Sequence, residues 1–311
     1  MYLSRRPDRE GKGVPLDDMV GFIGLGAMGR PMVARLAAAG RELVVWSRTK
    51  SHADSLLSDR VHWADSAREV GDRARVVLSC LLNDAVIEDV YAHGGLLDER
   101  ADGGLLVEHG TFSPALSRRV FASAQDAGLQ FVDAPVSGGA LGAIAGRLVC
   151  MAGGAPDAVD RLRPIASAYC TSVSHVGPSG AGVQLKLANQ LLVAGNTALV
   201  AEAAALISSA RIDPALALSV LSGGYGGSSM LTRNLVPMLT NDWPDEGGTV
   251  GHLAEVLDLV GNSMAEHHVQ TILEPAVRAV LRQAIAAGLS DLDMASIYRL
   301  YTANDGVLDP Q

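Results

Sequence analysis

Short apolar runs alternate with helical stretches through the first half of the chain. The runs read VGFIGL, ELVVW, ARVVLSCL, GLLVEH, LQFVDAPV, RLVCMAG and TSVSHVG, each bounded by glycine or polar residues, as is typical of buried strands. Between them, residues 28–39 have helical spacing and end at Gly40, and Ser113-Pro114 combines an N-cap residue with a first-turn proline. This alternation predicts an α/β domain with a parallel, doubly wound sheet over residues 19–178.

The pattern changes after Gly182, where no strand signal follows. The stretch VQLKLANQLLVAGNTALVAEAAALISSA predicts one long helix, too apolar for a free surface and therefore buried between domains or subunits. Further helices are predicted from Asp213-Pro214, between Pro275 and Gly288, and after a capping box at Ser290 to Asp293. Residues 179–311 are therefore expected to form an all-helical domain. The charged residues 1–18 are expected to be a loose tail, with Met19 as an alternative natural start.

Composition narrows the class of protein. The chain has 311 residues, of which 48% are hydrophobic and 19% charged, which suits two globular domains. The formal net charge of −9 argues against a nucleic-acid partner, which would need clustered positive charge. Cys80, Cys150 and Cys170 are widely spaced, so we expect reduced thiols and a cytoplasmic location. No apolar run reaches the length of a membrane span, so no membrane is expected.

A glycine-rich turn follows the first predicted strand. Residues 24–29 read GLGAMG, which fits G-x-G-x-x-G between a strand and a helix. Here the first glycine allows a tight turn, the second lets backbone N–H groups approach a pyrophosphate, and the third allows close helix–strand packing. The pattern predicts a Rossmann-like dinucleotide site, although a turn without a ligand can have the same spacing. The residues of this site are Gly24, Leu25, Gly26, Ala27 and Met28.

The end of the second predicted strand favours one dinucleotide over the other. An NAD site usually has an acidic residue there, which binds the ribose hydroxyls, whereas residues 46–50 read WSRTK. Arg48 can pair bidentately with a 2′-phosphate, and Ser47, Thr49 and Lys50 complete the expected contacts. The sequence therefore predicts NADP(H). A solvated or adenine-stacked Arg48 is the alternative.

Four ordered stretches together resemble the β-hydroxyacid dehydrogenase family, whose members include 3-hydroxyisobutyrate dehydrogenase and the tartronate, glyoxylate and succinic semialdehyde reductases. They are VGFIGLGAMGRPMVARLAAAG, WSRTK, DAPVSGGALGAIAGRL and GAGVQLKLANQ, in a match that runs from about residue 19 to the C-terminus. The resemblance implies an NADPH-dependent enzyme that interconverts a short β-hydroxy acid and its semialdehyde or keto acid. It also implies a homodimer or homotetramer formed through the C-terminal helices.

The resemblance further implies roles for individual residues. Lys186, in the G-x-G-x-x-x-K motif, would be the general acid/base. The DAPVSGG loop would hold the substrate carboxylate through a hydroxyl and backbone N–H groups. The implied substrate contacts are Ser137, Gly138, Gly139, Asn189 and Gln190, and the further implied cofactor contacts are Leu81, Leu82, Asn83 and Thr111.

The chemistry of hydride transfer explains why a lysine suits position 186. The chain has only three lysines, Lys12, Lys50 and Lys186, and arginine carries almost all of the positive charge. Hydride addition to a carbonyl leaves an alkoxide, which a lysine ammonium can stabilise and protonate. Burial can lower the pKa of a lysine, whereas arginine stays charged. A solvated helix lysine is the alternative.

The chain departs from the family pattern at three places. Gln190 replaces the second asparagine after the lysine, and Gly110-Thr111 lacks one hydroxyl of the usual Ser-Thr. In GGTVGHLAEVLDLV, Gly248 falls at the usual phenylalanine and Glu255-Val256 at the usual Lys-Asp, within about a residue. These changes predict an unusual substrate or a weak catalyst.

Two other functions stay open. Imine reductases share the fold and the glycine motif but usually lack the DAPVSGG loop and the lysine, so NADPH-dependent C=N reduction is the second interpretation. The third is a catalytically weak cofactor-binding scaffold. No metal site is predicted, because the histidines His109, His252, His267 and His268 lack ligand spacing.

Overall fold

The computed structural model of the chain describes residues 19–97, 103–243 and 248–302. The predicted loose tail, residues 1–18, lies outside the described residues.

Nine strands form one sheet in the part of the first half that the structure describes. They are β1 Met19–Ile23, β2 Glu42–Trp46, β3 Val61–Trp63, β4 Val76–Ser79, β5 Leu105–Glu108, β6 Gln130–Asp133, β7 Val136–Ser137, β8 Leu148–Gly154 and β9 Cys170–Gly177. Their order is β3-β2-β1-β4-β5-β6-β8-β7, with β9 paired to β8. Strands β1 to β6 are parallel, which confirms the predicted doubly wound, Rossmann-like sheet.

The far side of the sheet departs from the all-parallel expectation. Strand β8 is antiparallel to both β6 and β7 and parallel to β9. The predicted single strand 129–136 is divided into β6 and β7, because Pro135 between them has no N–H to donate and restricts the residue before it. The chain therefore turns back towards β8 without the long crossover that a parallel neighbour needs.

Within the described ranges, twelve α-helices accompany the sheet or follow it. They are α1 Gly29–Ala38, α2 Ala67–Arg73, α3 Asp84–Glu88, α4 Pro114–Asp126, α5 Gly139–Ile144, α6 Pro156–Ala166, α7 Ala181–Ser209, α8 Pro214–Ser222, α9 Ser229–Thr240, α10 Val250–Glu266, α11 Glu274–Ala286 and α12 Arg299–Thr302. Short 3-10 helices cover 50–52 and 294–298, and one π-helical turn covers 89–93. The C-terminal part is all-helical within its described residues, apart from one isolated bridge, as the sequence predicts.

The described residues pack around three apolar cores. One lies under α1 and α6 on one face of the sheet, one under α2 and α4 on the other face, and one among the C-terminal helices. The division predicted between residues 178 and 179 falls in the short loop between β9 and α7. In the C-terminal region Asp293, rather than Ser290, supplies the cap, since its carboxylate accepts from the Ala295 N–H at 2.9 Å.

Helix α7 spans 29 residues and packs against α9, α10 and β8. It is long and apolar enough to cross a membrane by length and composition alone, contrary to the expectation that no run reaches that length. The core helix of a globular protein meets the same criteria. The contacts of α7 with the sheet and with both neighbouring helices support that interpretation.

Candidate active site

The predicted cofactor residues follow the carboxyl ends of neighbouring strands. Gly24 to Met28 follow β1, Ser47 to Lys50 follow β2, Leu81 to Asn83 follow β4, and Thr111 follows β5. These strands are parallel, so their carboxyl ends meet at one edge of the sheet. Strands β1 and β4 are the neighbours between which the strand order reverses, and a doubly wound sheet binds its ligand in that crevice.

The three glycines of the turn have different surroundings. Gly24 has a φ of +93°, and a Cβ there would lie 2.4 Å from the carbonyl oxygen of Cys80. A Cβ on Gly29 would lie 1.9 Å from the carbonyl oxygen of Gly24, so this position admits only glycine. Gly26 is exposed, and a Cβ there would meet nothing within 4 Å. The turn therefore has one open glycine at the N-terminus of α1, where a pyrophosphate can approach the backbone.

The segment after β2 exposes most of its polar side chains. Arg48 and Thr49 are exposed and Ser47 is half-buried. The Lys50 ammonium lies 5.3 Å from the centre of the Trp63 ring, an intramolecular cation–π contact. Arg48 is therefore the cation of this segment that stays available for a ligand, while Lys50 is engaged with β3.

The predicted cofactor residues after β4 and β5 differ in how far they contact the rest of the protein. The Asn83 carboxamide accepts from the Val86 N–H at 3.1 Å and so caps α3, whereas Leu82 is exposed. Thr111 is half-buried. The predicted contact of Asn83 with a cofactor therefore relies on its backbone or on its free amide protons.

The DAPVSGG loop is tied to the start of α7 by a carboxylate that the sequence did not single out. Asp133 is buried and accepts from the N–H groups of Gly180 at 2.7 Å and Val183 at 2.9 Å. Burial raises the pKa of the Asp133 carboxyl to about 6, and these hydrogen bonds act in the opposite direction. The loop that carries Ser137 to Gly139 is thus fixed to the helix that carries Lys186.

Lys186 lies in the second turn of α7 and is 8% exposed. Burial lowers the pKa of its ammonium from 10.5 to about 8, and the nearby Cys80 acts in the opposite direction. Because Cys80 follows β4, this places the lysine near the carboxyl end of that strand. A buried amine that titrates near neutral pH can donate and accept a proton.

Two buried polar atoms near Lys186 have no hydrogen-bond partner among the described residues. One is Oδ1 of Asn189, one turn beyond the lysine on α7, and the other is Nδ1 of His252 on α10. Burial lowers the pKa of His252, and the charge of Lys186 adds to that effect, whereas Glu255 raises it. Gln190 is half-buried. Unsatisfied buried atoms of this kind favour a polar ligand beside Lys186.

The structure shows what surrounds Gly248, Glu255 and Val256, the C-terminal positions at which the chain departs from the family pattern. A Cβ at Gly248 would lie 2.9 Å from the Met294 methyl carbon, so a large side chain there would displace Met294. Val256 is buried in the helical core, and Glu255 is exposed, with Oε2 3.9 Å from the His252 ring. A histidine therefore stands one turn before the position of the usual lysine.

The histidine after β5 has a structural role. His109 Nδ1 lies 2.7 Å from the Ala134 carbonyl oxygen, and Nε2 lies 3.0 Å from the Tyr169 hydroxyl. Burial lowers the pKa of His109 to about 4, so the ring is neutral. No cluster of three or more potential metal ligands occurs within 19–97, 103–243 and 248–302, and the expectation of no metal stays a prediction.

The chain is similar to known nicotinamide-dependent dehydrogenases. Residues 19–177 match the NAD binding domain of 6-phosphogluconate dehydrogenase, and residues 180–301 match the family described as NAD-binding of NADP-dependent 3-hydroxyisobutyrate dehydrogenase. The NAD-dependent L-serine dehydrogenase of Pseudomonas aeruginosa is 31% identical over 92% of this chain and 99% of its own. The 3-hydroxyisobutyrate dehydrogenase of the same organism is 35% identical over 72% of this chain and 74% of its own.

Solved structures extend the comparison. The structure of Mycobacterium tuberculosis 3-hydroxyisobutyrate dehydrogenase with L-serine has a TM-score of 0.81 at 27% identity, covering 91% of this chain and 99% of that one. An imine reductase from a Pseudomonas species has a TM-score of 0.58 at 20% identity, over 91% and 99% of the two chains, and shares the fold alone. The chain belongs to the β-hydroxyacid dehydrogenase family and is a nicotinamide-cofactor-dependent oxidoreductase acting on CH–OH groups.

Proposed function

We propose that this protein interconverts a short β-hydroxy acid and its semialdehyde or keto acid with NADP(H), with Lys186 as the general acid/base. The observation that carries the proposal is the buried lysine of lowered pKa, which lies near Cys80, just beyond the carboxyl end of β4. A dehydrogenase that works in both directions needs such a group, because the proton must be given to an alkoxide and taken from a hydroxyl.

The glycine turn and the segment after β2 fit a dinucleotide. Gly24 and Gly29 have no room for a side chain, while Gly26 leaves an open approach to the N-terminus of α1. Arg48 is exposed at the end of β2, where residues 46–50 include no acidic residue to bind an unmodified ribose, and its guanidinium suits a 2′-phosphate. The nicotinamide ring, when bound, supplies or accepts the hydride.

The protein's own residues move the proton and hold the substrate. In reduction the Lys186 ammonium stabilises the developing alkoxide and then donates its proton to that oxygen. In oxidation the neutral amine accepts the hydroxyl proton. Ser137, Gly138 and Gly139 are suited to bind the carboxylate through a hydroxyl and backbone N–H groups. Asn189, whose Oδ1 has no partner among the described residues, and Gln190 lie one turn beyond the lysine and are suited to orient the substrate.

A steady-state assay tests this proposal. Short β-hydroxy acids with NADP+ or NAD+, and the matching semialdehydes or keto acids with NADPH or NADH, are compared with a cyclic imine. The proposal expects turnover of at least one β-hydroxy acid and a lower KM for NADPH than for NADH. Reduction of the imine alone would replace it with C=N reduction. Cofactor binding without turnover of any of these compounds would indicate a scaffold.

We also propose that the protein is a homo-oligomer in the cytoplasm. Four leucines at intervals of seven residues, Leu185, Leu192, Leu199 and Leu206, are each at least 45% exposed along α7. This stripe follows almost the whole helix and has the spacing with which an identical helix can pair, so a second copy of the chain is its natural partner. Sedimentation should show a smaller species for Leu192→Glu but not for Ile272→Glu, an exposed apolar position outside the stripe.

A further inference from the structure

The carboxylate of Glu108 joins the ends of β4 and β5 inside the protein. The residue is fully buried, and its Oε1 accepts from the N–H groups of Leu81 at 3.0 Å and Gly110 at 2.6 Å. Its Oε2 accepts from the Ser79 hydroxyl at 2.6 Å, and Ser79 Oγ also lies 2.7 Å from the Tyr91 hydroxyl. One acidic side chain therefore holds the backbone just beyond β4 to the backbone just beyond β5.

Gly110 allows these two backbones to approach closely. A Cβ at this position would lie 2.3 Å from the Leu81 carbonyl oxygen and 2.7 Å from Oε1 of Glu108. Neither group can move away at low cost, because one is backbone and the other accepts from two backbone N–H groups. Any side chain at position 110 would push the two loops apart. The hydroxyl that this chain lacks, compared with its family, would not fit here.

The two joined loops lie on the nicotinamide side of the dinucleotide site. In a doubly wound sheet one half of the dinucleotide lies over the strands on each side of the switch point, with the adenosine ribose at the end of β2. The loops after β4 and β5 therefore belong to the other half. Cys80, which precedes Leu81, is affected electrostatically by both Glu108 and Lys186. The distance between these loops thus sets the room for the nicotinamide beside the lysine.

We propose that Glu108 is a positioning residue that sets the spacing of the two nicotinamide-side loops, with Gly110 as the partner that the close approach requires. Glu108 acts through the N–H groups of Leu81 and Gly110 and does not itself touch the cofactor. The inference rests on nicotinamide-cofactor binding at this edge of the sheet, and it is independent of the substrate.

Hydrogen bonding, rather than charge, is the property that this role needs. Burial raises the pKa of the Glu108 carboxyl, and the three donors act in the opposite direction. A glutamine can keep the arrangement, because its carbonyl oxygen can accept both N–H groups and its amide can donate to Ser79. The Ser79 proton can then turn to the Val107 carbonyl oxygen, which already lies 3.1 Å away. A leucine leaves both N–H groups without an acceptor.

The test compares binding of the whole cofactor with binding of its adenine half. Dissociation constants for NADPH and 2′,5′-ADP, and for NADH and ADP, are measured for the wild type and for Glu108→Gln, Glu108→Leu and Gly110→Ala. Each is measured at a temperature at which circular dichroism shows the variant to be folded. Glu108→Gln should stay within about threefold of wild type, whereas Glu108→Leu and Gly110→Ala should bind the whole cofactor about tenfold or more weakly. Binding of the adenine half should stay unchanged.

Three results would overturn the inference. The first is an equal loss of affinity for the whole cofactor and for its adenine half. The second is wild-type cofactor affinity in Gly110→Ala, and the third is cofactor binding by Glu108→Gln that is as weak as binding by Glu108→Leu. If Glu108→Leu does not fold, Gly110→Ala and Glu108→Gln still decide the question. No substrate is involved, so failure to oxidise any β-hydroxy acid would count against the proposed function and leave this measurement intact.

Discussion

The two directions of the proposed reaction should respond to pH with opposite signs, because one buried amine serves both. Burial lowers the pKa of Lys186 from 10.5 to about 8. This change corresponds to about 3 kcal/mol between the charged and neutral forms. At pH 8 about half of the molecules then carry the neutral amine, whereas an unperturbed lysine would be neutral in roughly 0.3% of them. Oxidation uses the neutral amine, and reduction uses the ammonium.

The assay measures kcat/KM in each direction across the range in which Lys186 titrates. Oxidation should rise with pH and level off above about pH 8, while reduction should be constant at lower pH and fall above it. Lys186→Met keeps an unbranched side chain of nearly the same length but removes the amine that carries the proton. It should lower kcat/KM in both directions by about 10²- to 10⁴-fold. Lys186→Arg stays charged and should lose the oxidative rise. Wild-type rates in Lys186→Met, or profiles with the same sign in both directions, would refute the reasoning.

Three further predictions test the cofactor turn, the cofactor choice and the anchor of α7. Gly29→Ala should lower the free energy of unfolding by about 1–3 kcal/mol, because its Cβ would overlap the Gly24 carbonyl oxygen. The matched Gly26→Ala should keep the wild-type Tm in thermal unfolding and lose only cofactor affinity. Arg48→Ala should raise the KM for NADPH about tenfold and leave that for NADH unchanged; equal effects would contradict a 2′-phosphate contact. Asp133 has a folded pKa of about 6, above its unfolded 3.8, so it binds more protons when folded. As the pH rises from 4 to 6, the free energy of unfolding of the wild type should therefore fall by up to about 3 kcal/mol relative to that of Asp133→Asn. Urea unfolding measures this difference. A difference that is independent of pH would contradict that assignment.

The sequence predicts those parts of the fold that depend on neighbouring residues. The glycine turn and its strand and helix follow from local pattern, and so does the start of α4, where the Ser113 hydroxyl accepts from the Leu116 N–H at 3.1 Å. Helix α2 lies among the helical stretches expected between the strands, and its start has a local signal too, since the Ser66 hydroxyl accepts from the Glu69 N–H at 3.1 Å. Strand β3 has three residues, too few to show a period.

Other features depend on contacts between distant segments. The antiparallel direction of β8 follows from the reversal of the chain through α5, between β7 and β8, and no alternation of apolar residues indicates it. In the sequence, Glu108 is only the last residue of a predicted strand. Its role depends on the pairing of β4 with β5, which places Leu81 close to Gly110. The same holds for His252, whose relation to Lys186 depends on how α10 packs against α7.

The most direct test of the central claim follows one deuterium atom from the cofactor to the product. NADPH that carries deuterium at the transferred position of its nicotinamide is incubated with semialdehydes and β-keto acids, and with a cyclic imine in parallel, and the products are identified by mass spectrometry. The account predicts one deuterium on the hydroxyl-bearing carbon of a β-hydroxy acid with the wild type, and at most a trace with Lys186→Met. Label in the imine product and in no hydroxy acid, or equal label with the two proteins, would contradict it.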